Sequence, residues 1–229
     1  MKNKRFIHPA TCFFLLTQLI VLLSWVGTIY EWHGVKNALS AEGLRHLLRH
    51  SLPDFLAAPL LGELIVLAFG IGLCYHSGWL SSCLSILFRT RELSRKERRA
   101  CLGSIVVGVC WLIACLFAAF GAWDGVRSIT GEIKNSPLAD GTALLCSLGI
   151  GGMGIYYGYA VDFYRNDCDL VEGMSYCFRR FSQYFVTLFF IVQFFMTLRY
   201  TGLDIFLGMS PDVFGKIYTV FSILSLFLV

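Results

Sequence analysis

The chain has 229 residues, of which 56% are hydrophobic and only 15% are charged, with a formal net charge of +4 at pH 7. Soluble domains carry about 25% charged residues, so this chain has too few polar side chains to cover a surface that faces water. The composition excludes a soluble globular domain and predicts an integral membrane protein. No stripe of basic residues interleaved with exposed aromatic residues occurs, and we expect no nucleic-acid partner.

Six apolar runs follow one another along the chain. About 20 mainly apolar residues are needed to cross the hydrocarbon of a lipid bilayer. The runs therefore predict an all-α, polytopic helical membrane protein with about six transmembrane helices, or five as the alternative, in a single transmembrane domain over residues 1–229. The predicted spans cover about residues 9–30, 58–76, 100–123, 138–163, 184–200 and 214–229.

The segment "AEGLRHLLRHSLPDFL", Ala41 to Leu56, separates the first two spans. Its leucines fall on one side of a helix and its arginines and histidines on the other, which predicts an amphipathic helix at the membrane surface. We expect this helix to end near Pro53. His46 and His50 stand four apart, a spacing that suits a metal ion. Because arginines flank the pair and we find no carboxylate or cysteine at a matching spacing, we predict a plain polar helix face and no metal site.

Positively charged residues alternate between the loops. Lys2, Lys4 and Arg5 precede the first span, and "RTRELSRKERR" after the second span has six Lys/Arg against two acids. The intervening loops carry fewer. Loops rich in Lys and Arg face the cytoplasm, so we predict a multi-pass protein of the inner (plasma) membrane with a cytoplasmic amino terminus. The first span is predicted to be an uncleaved anchor.

Glycines recur in the second and fourth spans, within "LLGELIVLAFGIGLCYHSG" and "GIGGMGIYYGY". Small residues let helices approach closely in lipid. We therefore predict helix-packing roles for Gly62, Gly70, Gly72, Gly78, Gly154 and Gly158. For the fourth span, the less favoured alternative is an interrupted helix whose free backbone groups line a substrate site, as in transporters.

Two polar residues stand inside predicted spans. Glu63 lies about one turn inside the second span, where an acid can relay protons or cations. The reading that we favour is an acid that reaches the interface or pairs with Arg45 or Arg49. Gln193, near the centre of the fifth span, predicts a hydrogen bond to a neighbouring helix.

The remaining residues carry no recognisable chemistry. The nine cysteines contain no CxxC pair and are predicted to be packing thiols. No nucleophile motif, zinc-binding helix motif or phosphate-binding glycine loop occurs. We therefore expect neither an enzyme nor a cofactor.

Residues 42–80, "EGLRHLLRHSLPDFLAAPLLGELIVLAFGIGLCYHSGWL", resemble the early part of the AbgT family of p-aminobenzoyl-glutamate transporters. His8–Pro9 before the first span also fits, so the resemblance covers about residues 8–80. It implies a bacterial membrane transporter that works as a dimer and in which the glycines belong to the scaffold. The matching positions are Glu42, Gly43, Leu44, His50, Phe55, Gly62, Gly70, Gly72, Ser77 and Gly78.

The leading hypothesis is a short AbgT-like transporter of a small organic anion such as p-aminobenzoyl-glutamate. The resemblance leaves the coupling ion, proton or sodium, open, and it leaves open whether the partner is a second copy or a second membrane subunit. The alternative is a non-transporting subunit or truncated remnant that acts through helix–helix partner binding. The sequence identifies no substrate-binding residue.

Overall fold

A computed structural model of the chain describes residues 8–89, 92–120 and 136–226. Over these residues the chain forms helices and no strand, which confirms the predicted all-α class. The described helices, in chain order, are α1 (Pro9–Ile29), α2 (Ala41–Leu56), α3 (Leu61–His76), α4 (Trp79–Phe88), α5 (Arg95–Phe120), α6 (Pro137–Asp140), α7 (Thr142–Ala160), α8 (Asp167–Arg180), α9 (Ser182–Thr201), α10 (Leu203–Phe206) and α11 (Pro211–Leu224).

Four of the described helices, α1, α5, α7 and α9, are long and apolar enough to cross a membrane. The number becomes five if α2 and α3 together form one broken span. The predicted polytopic helical membrane class is therefore confirmed. The number of candidate spans among the described helices is at most five, which is the lower of the two predicted numbers. The last predicted span corresponds to α11, which has 14 residues and is short for a crossing.

Several sequence predictions fall outside the described residues. These are the amino-terminal basic residues Lys2, Lys4 and Arg5, residues 121–123 at the end of the third predicted span, and residues 227–229 at the end of the last. The cytoplasmic placement of the amino terminus stays a prediction.

The helices group into two compact units. The first comprises Met1–Leu61 and Phe181–Val229, and in it α1, α2, α10 and α11 all pack against α9. The second comprises Gly62–Arg180, and in it α5 packs along α7, with α4 and α6 also against α7.

Helix α9 forms the core of the first unit. It is mainly apolar, with Gln193 among its few polar residues, as suits a helix that packs against several others. Leu188, Ile191 and Val192 along it are fully buried. The helix ends at Gly202, which has φ 72° and supplies the left-handed backbone of a helix carboxyl-terminal cap.

Helix α2 spans the predicted residues but does not end at Pro53. The Ser40 hydroxyl accepts a hydrogen bond from the Gly43 N–H at 3.0 Å and caps the start of the helix. Pro53 lies inside the helix, and the prediction that α2 ends there is wrong. A proline removes a single backbone donor, and the chain regains helical bonding when the Ala57 N–H donates to the Pro53 carbonyl at 2.9 Å.

In the second unit, an ion pair joins Lys96, in the first turn of α5, to Asp162, just after α7. The hydrogen bond and charge of Lys96 lower the pKa of the Asp162 carboxyl. A lowered folded-state pKa stabilises the fold above the ordinary carboxyl pKa of about 3.9, and this contribution is lost as the pH falls through the lowered value.

We therefore expect Asp162→Asn to lower the thermal unfolding temperature slightly near neutral pH. The effect should be small because both side chains are more than half exposed, 54% for Lys96 and 68% for Asp162. Asparagine tolerates the left-handed backbone at this position, φ 61°. Unfolding temperatures of both proteins, measured at decreasing pH, should converge only below about pH 4. A difference that does not change with pH would contradict this role of the carboxylate charge.

Candidate functional site

His46, His50 and Asp54 of α2 are half-buried on the side that faces α9. The exposed side carries four leucines one helical turn apart, together with Arg45 and Arg49. A water-soluble protein would show the opposite arrangement. An outward apolar face suits hydrocarbon, and polar residues in membrane proteins face the helix bundle. The exposed leucines are Leu44 at 49%, Leu48 at 82%, Leu52 at 61% and Leu56 at 63%.

Three rings stack between α2 and the end of α9. The ring centroids of His46 and His50 lie 4.1 Å apart, and those of His46 and Tyr200 also lie 4.1 Å apart at an interplanar angle of 15°. The Nδ1 of His50 is 3.0 Å from the His46 carbonyl oxygen. A carbonyl can only accept, so we assign the proton to Nδ1 and the lone pair of the neutral ring to Nε2. In the neutral ring, Nε2 of His50 is therefore the nitrogen that can accept a hydrogen bond.

One turn further along α2, Asp54 lines a small cavity with His50 and Gln193. The cavity measures about 10 Å³, close to the volume occupied by one water molecule. Gln193 donates from Nε2 to the Ser51 carbonyl at 3.0 Å, which confirms the hydrogen bond predicted for it. Asp54 stands four residues after His50, so the expectation that no carboxylate stands at a matching spacing is wrong.

His46, His50 and Asp54 stand at positions i, i+4 and i+8 of α2 and form a ladder about 12 Å long. The ladder runs from Tyr200, near the end of α9, to Gln193, near its centre. Imidazole nitrogens and carboxylate oxygens are groups that can accept a proton, so the ladder places three such groups along one side of α2. Among the described residues no group of three or more His, Cys, Asp or Glu side chains is arranged to hold a metal ion.

Two further buried polar atoms belong to the first unit. Asp204, in α10, and Tyr218, in α11, are each 8% exposed. Asp204 Oδ1 and the Tyr218 hydroxyl have no hydrogen-bond partner in the part of the chain that the structure describes. A buried polar atom without a partner costs about 1–3 kcal/mol, so both residues are candidate functional groups. Neither stands out in the sequence, because Asp204 looks like an ordinary loop acid and Tyr218 like an ordinary core aromatic residue.

Two of the glycines predicted in the second span lie at backbone contacts in the second unit. A methyl group at Gly70 would clash with the Ser147 carbonyl, and the Gly70 N–H donates to the Ser147 hydroxyl at 3.1 Å. A methyl group at Gly72 would come within 2.6 Å of the Gly173 carbonyl oxygen. These contacts join α3 to α7 and α8.

Helix α7 is continuous from Thr142 to Ala160, so the alternative of an interrupted helix in this span is wrong. A methyl group at Gly154 would approach the Cys74 backbone nitrogen to 2.8 Å, and one at Gly158 would clash with the Tyr164 ring. The glycines of α7 therefore leave room for α3 and for the segment after α7. Helix α7 therefore has no interruption that would free backbone groups for a polar site.

The other predicted site residues do not lie at close helix contacts. Gly62 has open space where a side chain would stand, and Gly78 takes a left-handed backbone, φ 76°, between α3 and α4. Glu63 is exposed in the first turn of α3. Its relay and interface roles both stay predictions, as does the scaffold role of the glycines.

The nine cysteines all lie within the described ranges and are free thiols. Cys83 and Cys101 bring their sulfur atoms to 2.9 Å between α4 and α5. Cys101 is 1% exposed, and Cys74 and Cys177 are also buried. These three thiols sit in packed surroundings, as predicted.

The structure is similar to those of two transporters. The YdaH transporter of Alcanivorax borkumensis matches with a TM-score of 0.76 and 15% sequence identity, over 88% of this chain and 72% of that chain. MtrF of Neisseria gonorrhoeae, which represents a class of antimetabolite efflux pumps, matches with a TM-score of 0.73 and 15% identity, over 92% of this chain and 74% of that chain. This chain has the fold of the AbgT transporters.

The predicted AbgT resemblance is confirmed and reaches well beyond residues 8–80, since the AbgT fold extends over most of the chain. At 15% identity the likeness establishes the fold and does not carry over individual residues. No protein-family model matches the chain, and no curated protein matches its sequence.

Proposed function

We propose that the chain is a secondary transporter of a small organic anion such as p-aminobenzoyl-glutamate. The observation that carries the proposal is the fold, which matches two transporters over 88% and 92% of the chain. The half-buried polar ladder of α2 against α9 supports it, because polar residues within membrane bundles mark substrate or ion pathways.

We propose protons as the coupling ion. Sodium is a hard cation that prefers oxygen ligands, in the way that calcium and magnesium do. The ladder instead presents two imidazole rings and a single carboxylate, His46, His50 and Asp54. Imidazole binds and releases protons near neutral pH, so this set of groups suits a proton better than a sodium ion.

We further propose that the protein lies in the inner membrane with its amino terminus in the cytoplasm. The stretch at residues 89–99, which runs from the end of α4 into the start of α5, supports this orientation, because it holds six Lys/Arg residues against two acids. We infer that the assembly is a homodimer or a complex with a second membrane subunit, as the resemblance implies.

Transport can be measured in sealed vesicles that contain the purified chain. We expect labelled p-aminobenzoyl-glutamate to accumulate when a pH gradient is imposed, with vesicles without protein as the control. A proton-sensitive dye inside the vesicles should report proton movement that depends on the anion. Accumulation under a sodium gradient alone would contradict proton coupling and leave anion transport standing.

The second candidate function is a non-transporting membrane subunit that binds partner helices. The continuity of α7 and its glycine contacts favour this alternative, because they show packing where a substrate site had been considered. Absence of flux for p-aminobenzoyl-glutamate and for a panel of other aromatic and dicarboxylic anions would favour the subunit over the transporter.

A further inference from the structure

The first turn of α5 carries a cluster of basic residues in the second unit. Arg95, Lys96, Arg98 and Arg99 stand at the amino-terminal end of the helix together with one acid, Glu97, where the helix dipole is positive. Cations at this end are disfavoured by about 0.3–1 kcal/mol each at exposed positions. Such a cluster is stabilised if anions lie next to it.

The protein supplies a partner for only part of this charge. Lys96 forms its ion pair with Asp162. Arg95 and Arg99 are exposed and line a cavity of about 440 Å³ together with Tyr156 of α7. Within the described ranges neither arginine forms an ion pair. The cavity therefore offers two guanidinium groups and a phenol hydroxyl, which are donors that suit a phosphate.

An exposed apolar stripe runs along α5 beyond the arginines, and its first member, Leu102, lines a neighbouring cavity. Its members follow Arg99 at positions i+3, i+7, i+10 and i+14, which places them on one helix face. They are Leu102 at 64% exposed, Val106 at 60%, Val109 at 51% and Ile113 at 58%. This face of α5 therefore has basic residues at one end and apolar side chains along its length. The basic residues complement the phosphate of an anionic phospholipid, and the apolar side chains complement its acyl chains.

We propose that Arg95, Arg99 and Tyr156 bind the phosphate of an anionic phospholipid whose acyl chains lie along the apolar stripe of α5. The stripe favours a lipid over a soluble phosphate, because a soluble anion would make no use of it. The cavity lies at the boundary between the charged first turn and the apolar length of a membrane-spanning helix, where lipid headgroups are found.

The site can be tested by thermal unfolding of the purified full chain in detergent, with phosphatidylglycerol or phosphatidylcholine added. We expect phosphatidylglycerol to raise the unfolding temperature in a saturable manner and phosphatidylcholine to have a much smaller effect. In Arg95→Gln/Arg99→Gln, the apparent affinity for phosphatidylglycerol should fall about thirtyfold, since each basic residue near a membrane surface contributes about 1 kcal/mol.

Arg180→Gln is the control, because Arg180 is an exposed arginine of the same unit, at the end of α8, and lines a different cavity with Glu172 and Tyr176. It should retain the response to phosphatidylglycerol. Should the double glutamine variant fail to fold, Arg95→Lys/Arg99→Lys keeps the charge, and its affinity should lie between those of the other two proteins. Equal stabilisation by both lipids, or equal loss in Arg180→Gln and the double variant, would overturn the proposal. Equal stabilisation by inorganic phosphate without lipid would show a soluble-anion site instead.

Discussion

Gly70→Ala is expected to destabilise the protein by about 1–3 kcal/mol, the usual cost of an added methyl group in a packed interior. The new methyl group would meet the Ser147 backbone carbonyl, which cannot swing aside as the end of a side chain can. Helices α3 and α7 would have to separate, and this would also strain the hydrogen bond from the Gly70 N–H to the Ser147 hydroxyl. Thermal unfolding in detergent should show a fall of several degrees, because 1 kcal/mol corresponds to about 2–4 °C at this chain length.

Gly62→Ala is the control on the same helix. Nothing stands within 4 Å of the position that its methyl group would take, and alanine favours a helix over glycine by up to about 1 kcal/mol. The unfolding temperature should therefore stay the same or rise. Equal destabilisation by both substitutions would mean that the close contact at Gly70 is not the cause of the loss.

His50→Gln is expected to reduce proton-driven anion uptake by roughly tenfold or more, a change of about 1.4 kcal/mol in the transport barrier. Glutamine preserves much of the side-chain volume and can still donate to the His46 carbonyl. It cannot take up a proton near neutral pH, however, so the ladder between Tyr200 and Gln193 would be interrupted. The measurement is uptake in sealed vesicles under an imposed pH gradient, together with the dependence of the rate on pH.

His33→Gln provides the matched control, because His33 is exposed in the loop between α1 and α2 and takes no part in the ladder. Uptake by this variant should equal that of the unmodified protein. The unfolding temperature of His50→Gln should change little, which separates loss of proton transfer from loss of folding. Unchanged uptake and an unchanged pH profile in His50→Gln would rule out the ladder as the proton path.

Apolar run length predicted the long helices well. The run at residues 9–30 became α1, Pro9–Ile29, and the run at 184–200 became α9, Ser182–Thr201. The fourth span begins later than predicted, at Thr142, because a separate short helix, Pro137–Asp140, precedes it. Ser136 caps this short helix, and its hydroxyl accepts a hydrogen bond from the Ala139 N–H at 3.2 Å. Local capping of this kind is invisible to a count of apolar residues.

The candidate site was harder to predict, for a reason specific to membranes. The leucine and histidine faces of α2 can be read from the helical period, but the period does not say which face meets the protein. At a water surface the leucines would turn inward, and in lipid His46 and His50 turn inward. Only the contact with α9, whose sequence lies more than a hundred residues downstream, decides between them. The same distance explains why the partners of Gln193 and His46 could not be identified beforehand.

Helices α2 and α9 are far apart along the chain and are therefore synthesised at different times. About 145 residues lie between Leu56 at the end of α2 and Thr201 at the end of α9. At roughly 5–20 residues per second of synthesis, about 7–29 s pass between the synthesis of α2 and that of α9, which packs against its imidazoles. The polar side of α2 has no protein partner during this time, so we expect the newly made α2 to lie at the bilayer surface until α9 is inserted.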